Sequence, residues 1–191
     1  MTAAGHGSAG RGHRLERIFS EKQVRERIGE LVDELHRAYE NRNLLIVVIA
    51  DGARRFAEAL VDGLEERLLL PSVHYVHASR TRGTELVQVQ LESVDPTQFE
   101  DRDVLVVDDI ADEGRTLEAV LGVVSEGDPR TLDVAVLVSK RERRCVELEI
   151  RYVGFEVERG WVVGFGMDLD GQYRELDYIA IAAPEDRQAS A

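Results

Sequence analysis

An α/β fold on a mainly parallel sheet is predicted by three observations. Two unbroken apolar runs, Leu44 to Ala50 and Val104 to Val107, read as strands buried on both faces, as parallel strands are. Segments with helical spacing separate the apolar runs, so strand and helix alternate through the middle of the chain. The first run ends in Asp51-Gly52 and the second in Asp108-Asp109, and sheets of this kind bind ligands where their strands end.

The elements follow in order. Residues 1–14, rich in Gly, Ala, His and Ser, read as a tail. Ser20-Glu21-Lys22-Gln23 forms a capping box, and Val24, Ile28, Leu31, Val32 and Leu35 then recur at helical spacing. After the Leu44 to Ala50 strand and its Asp51-Gly52 turn, Phe56, Ala59, Leu60 and Leu64 mark a second helix. Val73 to Val76 and Leu86 to Leu91 read as strands around a polar loop, Ser79-Arg80-Thr81-Arg82-Gly83-Thr84. The Val104 strand leads into Ile110-Ala111-Asp112-Glu113-Gly114-Arg115-Thr116 and a helix carrying Leu117, Val120, Leu121 and Val124. Leu132 to Val138 is a further strand, ending at Ser139-Lys140. Tyr152-Val153, Trp161 to Val163 and Ile179 to Ile181 are shorter strand candidates, and a second tail begins at Pro184.

Composition narrows the function. A chain of 191 residues with 43% hydrophobic content fits one domain, expected over residues 15–183 between tails at 1–14 and 184–191. No apolar run has membrane-spanning length, and the N-terminal MTAAGHGSAGRGHR lacks a hydrophobic signal core. The single cysteine, Cys145, cannot form an internal disulfide, so a reducing cytoplasm is expected. A net charge of -13 opposes general nucleic-acid binding, because phosphate backbones repel such a surface. Lys22 and Lys140 are the only lysines, which draws attention to both.

Chemistry concentrates in VLVVDDIADEGRT, residues 104–116. Two acids at a strand end can hold a ribose diol or a metal, and a glycine and a hydroxyl at a helix N-terminus suit a phosphate. Together they point to a phosphorylated ribose. An isolated acid pair more often caps a helix or faces solvent, but here strand, acids, glycine, hydroxyl and helix are in register. Neither a P-loop nor a dinucleotide-binding G-x-G-x-x-G occurs at a strand end.

Four hydrophobic residues, two acids and an acid-x-Gly-x-Thr loop resemble the signature of type I phosphoribosyltransferases. With LLIVVIADGARRFAEAL, VAVLVSKRERR and YVGFEVERGWVVGFGMDLDGQYRELDYIAI following the same order, the chain resembles the hypoxanthine-guanine members, over about residues 17–182. HYVHASRTRGTEL is most like a short bacterial branch. The resemblance implies a parallel twisted sheet flanked by helices, with a small hood formed by the N- and C-terminal segments. It also implies transfer of phosphoribose from phosphoribosyl pyrophosphate to a 6-oxopurine, with Mg²⁺, in a homo-oligomer (dimer or tetramer).

Residue roles follow from that resemblance. Asp108 and Asp109 would hold the ribose hydroxyls and magnesium, and Asp112 would act as general base near purine N7. Glu113, Gly114, Arg115 and Thr116 would cradle the 5′-phosphate. Lys140 would donate to purine O6, which favours an oxo group over the amino group of adenine. Trp161 would stack on the base, plain core packing being the alternative for a lone tryptophan, and the Val162 backbone would touch the base. Asp168 would bind a second magnesium and Arg174 the pyrophosphate.

Two departures from the family pattern stand out. Asp51 occupies the turn before Gly52, where many relatives carry lysine and where pyrophosphate is contacted, often through a non-proline cis peptide. The mobile loop offers Ser79, Arg80 and Arg82 in place of a serine-tyrosine pair, and the arginines could clamp phosphates. These departures keep a non-catalytic purine or nucleotide sensor open. An RNA-binding regulator of the same fold is disfavoured by the acidic charge.

Overall fold

The computed structural model describes residues 13–80, 87–90 and 96–184. A six-stranded sheet forms the centre, in the order β4 (Val87–Gln90), β3 (Ser72–Arg80), β2 (Leu44–Ala50), β5 (Asp103–Ala111), β6 (Thr131–Lys140), β7 (Tyr152–Val157). All neighbours are parallel except β4, which pairs antiparallel with β3 at the edge. The two apolar runs lie side by side as β2 and β5, with Val47 opposite Val106 and Val48 opposite Val107. Both are buried on both faces, which explains their unbroken hydrophobicity.

Helices cover both faces. On one face, α1 (Glu21–Tyr39) and α2 (Arg54–Glu65) pack Leu31, Leu35, Phe56 and Leu60 against alternate residues of the sheet such as Ile46, Val48 and Leu105. On the other, α3 (Arg115–Ser125) packs Leu117, Val120 and Val124 against Leu45, Val47 and Val106. The predicted capping box is present: Ser20 accepts from the Gln23 amide, and the Gln23 side chain accepts from the Ser20 amide. At the sheet's far end Asp103, fully buried, accepts from Arg42, Arg130 and Thr131 at 2.9–3.2 Å, which ties β5 to its neighbours away from any ligand.

From β2 the chain steps to β3 on one side, and from β5 to β6 on the other. A crevice therefore opens between the C-terminal ends of β2 and β5, the topological switch point where α/β sheets bind ligands. Over that edge sits a smaller antiparallel sheet, β1 (His13–Phe19), β9 (Ile179–Pro184) and β8 (Trp161–Val163). It is the hood that the resemblance implies, built from the two ends of the chain.

Two expectations are corrected. The strand β1 escaped sequence reading, and His13 and Arg14, read as tail, pair with Pro184 and Ala183. Its partner lies at the opposite end of the chain, and its alternation of exposed and half-buried residues gives little apolar periodicity. Ser79 and Arg80 were read as loop but end β3, where they pair with Gln88 and Val87 of β4. Neither residue is apolar, so the hydrophobic signal of the strand stops short of them. Arg82 lies outside the described residues.

Candidate active site

Asp108 and Asp109 lie toward the C-terminal end of β5, beside the crevice. The Asp109 amide donates to Asp108 Oδ1 at 3.0 Å, and the Ile110 amide donates to Asp109 Oδ1 at 2.8 Å. Asp108 is only 7% exposed. Burial, and then repulsion from Asp109, pushes its carboxyl well above the usual carboxylate range. Burial also raises Asp109, against the opposing effect of these hydrogen bonds and of Arg174. Adjacent acids in this condition attract a cation or a diol, and neither caps a helix nor faces open solvent.

Gly52 is what lets Asp109 point into the crevice. A Cβ on residue 52 would lie 1.9 Å from Asp109 Oδ2, so a larger residue there would push the Asp109 carboxylate out of this position. The Ala50–Asp51 peptide is cis, and Asp51 itself is exposed. The hood closes on the same turn: a Cβ on Gly166 would lie 2.2 Å from the Gly52 carbonyl oxygen.

Beyond the acids, the chain turns into α3 through Gly114 at φ +88°, a conformation that L side chains rarely adopt. The N-cap position is Gly114, which has no side chain to bond the amides of the first turn, and a helix N-terminus of this kind favours an anion. Glu113, Gly114, Arg115 and Thr116 line a cavity of about 430 Å³, together with Asp108, Asp112, Arg143 and Trp161.

A second cavity, about 170 Å³, adjoins it and is lined by Asp109, Ile110, Asp112, Lys140, Trp161, Val162, Met167 and Asp168. Lys140 ends β6 only 5% exposed, and its Nζ lies 3.2 Å from Asp112 Oδ2. The other oxygen, Asp112 Oδ1, is buried and has no hydrogen-bond partner among the described residues. A buried donor and a buried open acceptor thus stand side by side. Trp161 is 53% exposed and lines both cavities, which excludes plain core packing. Its indole Nε1 donates to the Asp168 carbonyl at 3.2 Å and fixes the ring at the rim.

The pyrophosphate candidates lie on the far side of Gly52. Asp51, Gly52, Arg54, Arg55, Gly166 and Arg174 line a shallow space of about 590 Å³. Arg174 pairs with Asp168 Oδ1 at 2.6 Å, so a candidate magnesium acid and a candidate pyrophosphate arginine hold each other. Arg55 donates to the Leu176 carbonyl at 2.9 Å and pairs with Asp177. Among the described residues, no cluster of three or more His, Cys, Asp or Glu side chains forms a ready metal cage. Asp108 and Asp109 nonetheless fit magnesium, which usually takes one or two carboxylates and completes its shell with water and substrate phosphates.

The phosphoribosyl transferase domain family matches residues 15–170, nearly all of the folded chain. A hypoxanthine-guanine phosphoribosyltransferase of Dictyostelium discoideum is 30% identical over 86% of this chain and 93% of its own length. This chain belongs to the hypoxanthine-guanine phosphoribosyltransferase family. A bifunctional TilS/HprT protein of Listeria monocytogenes is 36% identical over 88% of this chain, which spans only 26% of that longer protein. Among solved structures, a hypoxanthine-guanine phosphoribosyltransferase of Bacillus anthracis superposes with a TM-score of 0.80 at 29% identity, covering 90% of this chain and 99% of its own.

Sequence reading missed two arginines of this phosphoribosyltransferase. Arg144 donates to the main-chain carbonyls of Ala111, Asp112 and Lys140 at 2.9–3.1 Å and to Ser139 Oγ at 3.3 Å. It joins the β5 and β6 ends that carry Asp112 and Lys140, and burial lowers the pKa of its guanidinium. Arg143 pairs with Glu113 at 2.6 Å. Their only sequence signal is a basic cluster, RERR, directly after Lys140.

Proposed function

We propose that this phosphoribosyltransferase moves the 5-phosphoribosyl group from phosphoribosyl pyrophosphate to hypoxanthine or guanine. The products are IMP or GMP and pyrophosphate, a purine-salvage reaction. One observation carries this reading: the open, buried Asp112 Oδ1 beside the Lys140 ammonium. A 6-oxopurine presents N7–H and O6 on one edge, a donor and an acceptor that complement this pair. Adenine presents an amino group where Lys140 also donates, and so is rejected.

The anomeric C–O bond to pyrophosphate breaks and a C–N bond to purine N9 forms, while Asp112 takes the proton from N7. Main-chain amides at Gly114 to Thr116 hold the 5′-phosphate, and Asp108 and Asp109 hold the ribose hydroxyls. Magnesium at the Asp108–Asp109 pair would neutralise charge on the departing pyrophosphate. Trp161 lies over the base and Val162 borders it. Arg174 faces the pyrophosphate, and Asp168 offers a second magnesium ligand once Arg174 lets go. On the same reading Ser79, Arg80 and Arg82 would serve the pyrophosphate end of the site. A homo-oligomer, dimer or tetramer, and a cytoplasmic location belong to the same reading. No helix among the described residues is long and apolar enough to cross a membrane.

The test is a spectrophotometric assay of hypoxanthine, guanine, xanthine and adenine with phosphoribosyl pyrophosphate and Mg²⁺. Nucleotide is expected from hypoxanthine or guanine and little from adenine. No product with any base, despite purine binding, would establish a sensor in place of an enzyme.

A further inference from the structure

The phosphate half and the base half of the site meet at a side chain that the mechanism above does not use. Arg143 Nη2 lies 2.6 Å from Glu113 Oε1, and Arg143 Nη1 lies 3.6 Å from Asp112 Oδ2. Arg143 also lines the 430 Å³ cavity beside Gly114, Arg115 and Thr116. On the phosphoribosyl reading, that cavity receives a phosphate carrying close to two negative charges. Glu113 is an acid in the wall of the same cavity, and an acid there opposes an anion unless a cation stands with it.

The backbone that carries Arg143 is pinned on its far side. Arg144 grips three carbonyls of the β5 and β6 ends, and the Cys145 amide donates to the Glu113 carbonyl at 3.1 Å. Arg143 is therefore held above Asp112 and Glu113 by its neighbours' bonds as well as by its own. We propose that Arg143 is a positioning residue, the counter-charge that neutralises Glu113 for phosphate binding and steadies the Asp112 carboxylate.

This inference rests on the phosphoribosyl reading, and its test separates the two. Ribose 5-phosphate carries the 5′-phosphate and ribose without a leaving group, so calorimetry measures its binding independently of turnover. Arg143→Ala should weaken that binding about tenfold, and Arg143→Lys considerably less. Glu113→Gln should tighten it, since the opposing charge is gone while the arginine stays. The double variant Arg143→Ala/Glu113→Gln should return to within about threefold of the parent chain. The KM for phosphoribosyl pyrophosphate should follow the same order.

Unchanged binding in Arg143→Ala overturns the proposal. So does a double variant as weak as Arg143→Ala alone, which would make Arg143 a direct phosphate ligand. A parent chain that does not bind ribose 5-phosphate at all also overturns it. A parent chain that binds it, shows the rescue, yet forms no nucleotide counts against the transferase reading and leaves Arg143 in its role. Arg143 is exposed at the surface, so thermal unfolding of each variant should match the parent within about 2 °C.

Discussion

The half of the site proposed for ribose and phosphate and the half proposed for the base are built on different plans. The first comes from one contiguous stretch, Asp108 to Thr116, whose strand end, acids and helix amides follow one another along the chain. The second is assembled from three segments far apart in sequence: Asp112, Lys140, and the hood residues Trp161 to Asp168. They also differ in how they manage charge. Asp108 and Asp109 are acids pressed together, their carboxyls raised by burial, and Arg174 acts on Asp109 only from a distance. In the base half every charge is already met: Lys140 by Asp112, and Asp168 by Arg174. The ribose half thus stores repulsion that a substrate or cation relieves, whereas the base half is preorganised before anything binds.

Variants can break or sharpen this contrast. The largest effect is expected from Asp112→Asn, which keeps the shape and removes the proton acceptor. Its kcat should fall about 10²- to 10³-fold with little change in phosphoribosyl pyrophosphate binding, and steady-state kinetics would register an unaltered kcat as the loss of that role. Lys140→Ala comes next. Removing it takes away the proposed O6 donor and leaves Asp112 without its closest cation, so the purine KM should rise roughly 10- to 100-fold. An unchanged purine KM would detach Lys140 from the base.

A smaller effect, of opposite sign for stability, belongs to Asp108→Asn. A folded-state pKa raised above the unfolded value of about 3.9 means that Asp108 supports folding at low pH and loses that support as pH rises through the raised value. At neutral pH the acid therefore weakens the fold, and asparagine should raise the melting temperature by a few degrees, on the order of 1 kcal/mol, while activity drops. The gain should shrink as pH falls toward 4; calorimetry showing no gain at pH 7 would remove the stored repulsion. Least in size is Asp51→Lys, which places a cation at the turn in place of an acid. It should lower the KM for phosphoribosyl pyrophosphate several-fold, by about 1 kcal/mol of added attraction, and a higher KM would show that Asp51 aids binding.

The same contrast explains what could be read from sequence. The contiguous half was legible because the strand, acids, glycine and helix start lie in one window with the spacing that its chemistry needs. Lys140 was legible because lysine is scarce and this one follows an apolar strand. Arg143 and Arg144 were not, since what they touch is main chain and acids brought alongside by folding. The strand β1 was hidden for a related reason: its partner β9 comes from the other end of the chain, and hydrophobic periodicity does not record such pairings. The buried, unpartnered Asp112 Oδ1 is a fact of packing alone.

The proposed reaction turns on Asp112 Oδ1 receiving the N7 proton beside Lys140. Offering the enzyme 7-deazahypoxanthine, which keeps O6 and N9 but has carbon in place of N7, isolates that step. The analogue should compete with hypoxanthine for the site and yield no nucleotide, because a C–H bond gives up no proton to Asp112. Turnover of the analogue at a rate comparable to hypoxanthine would show that Asp112 does not take the N7 proton.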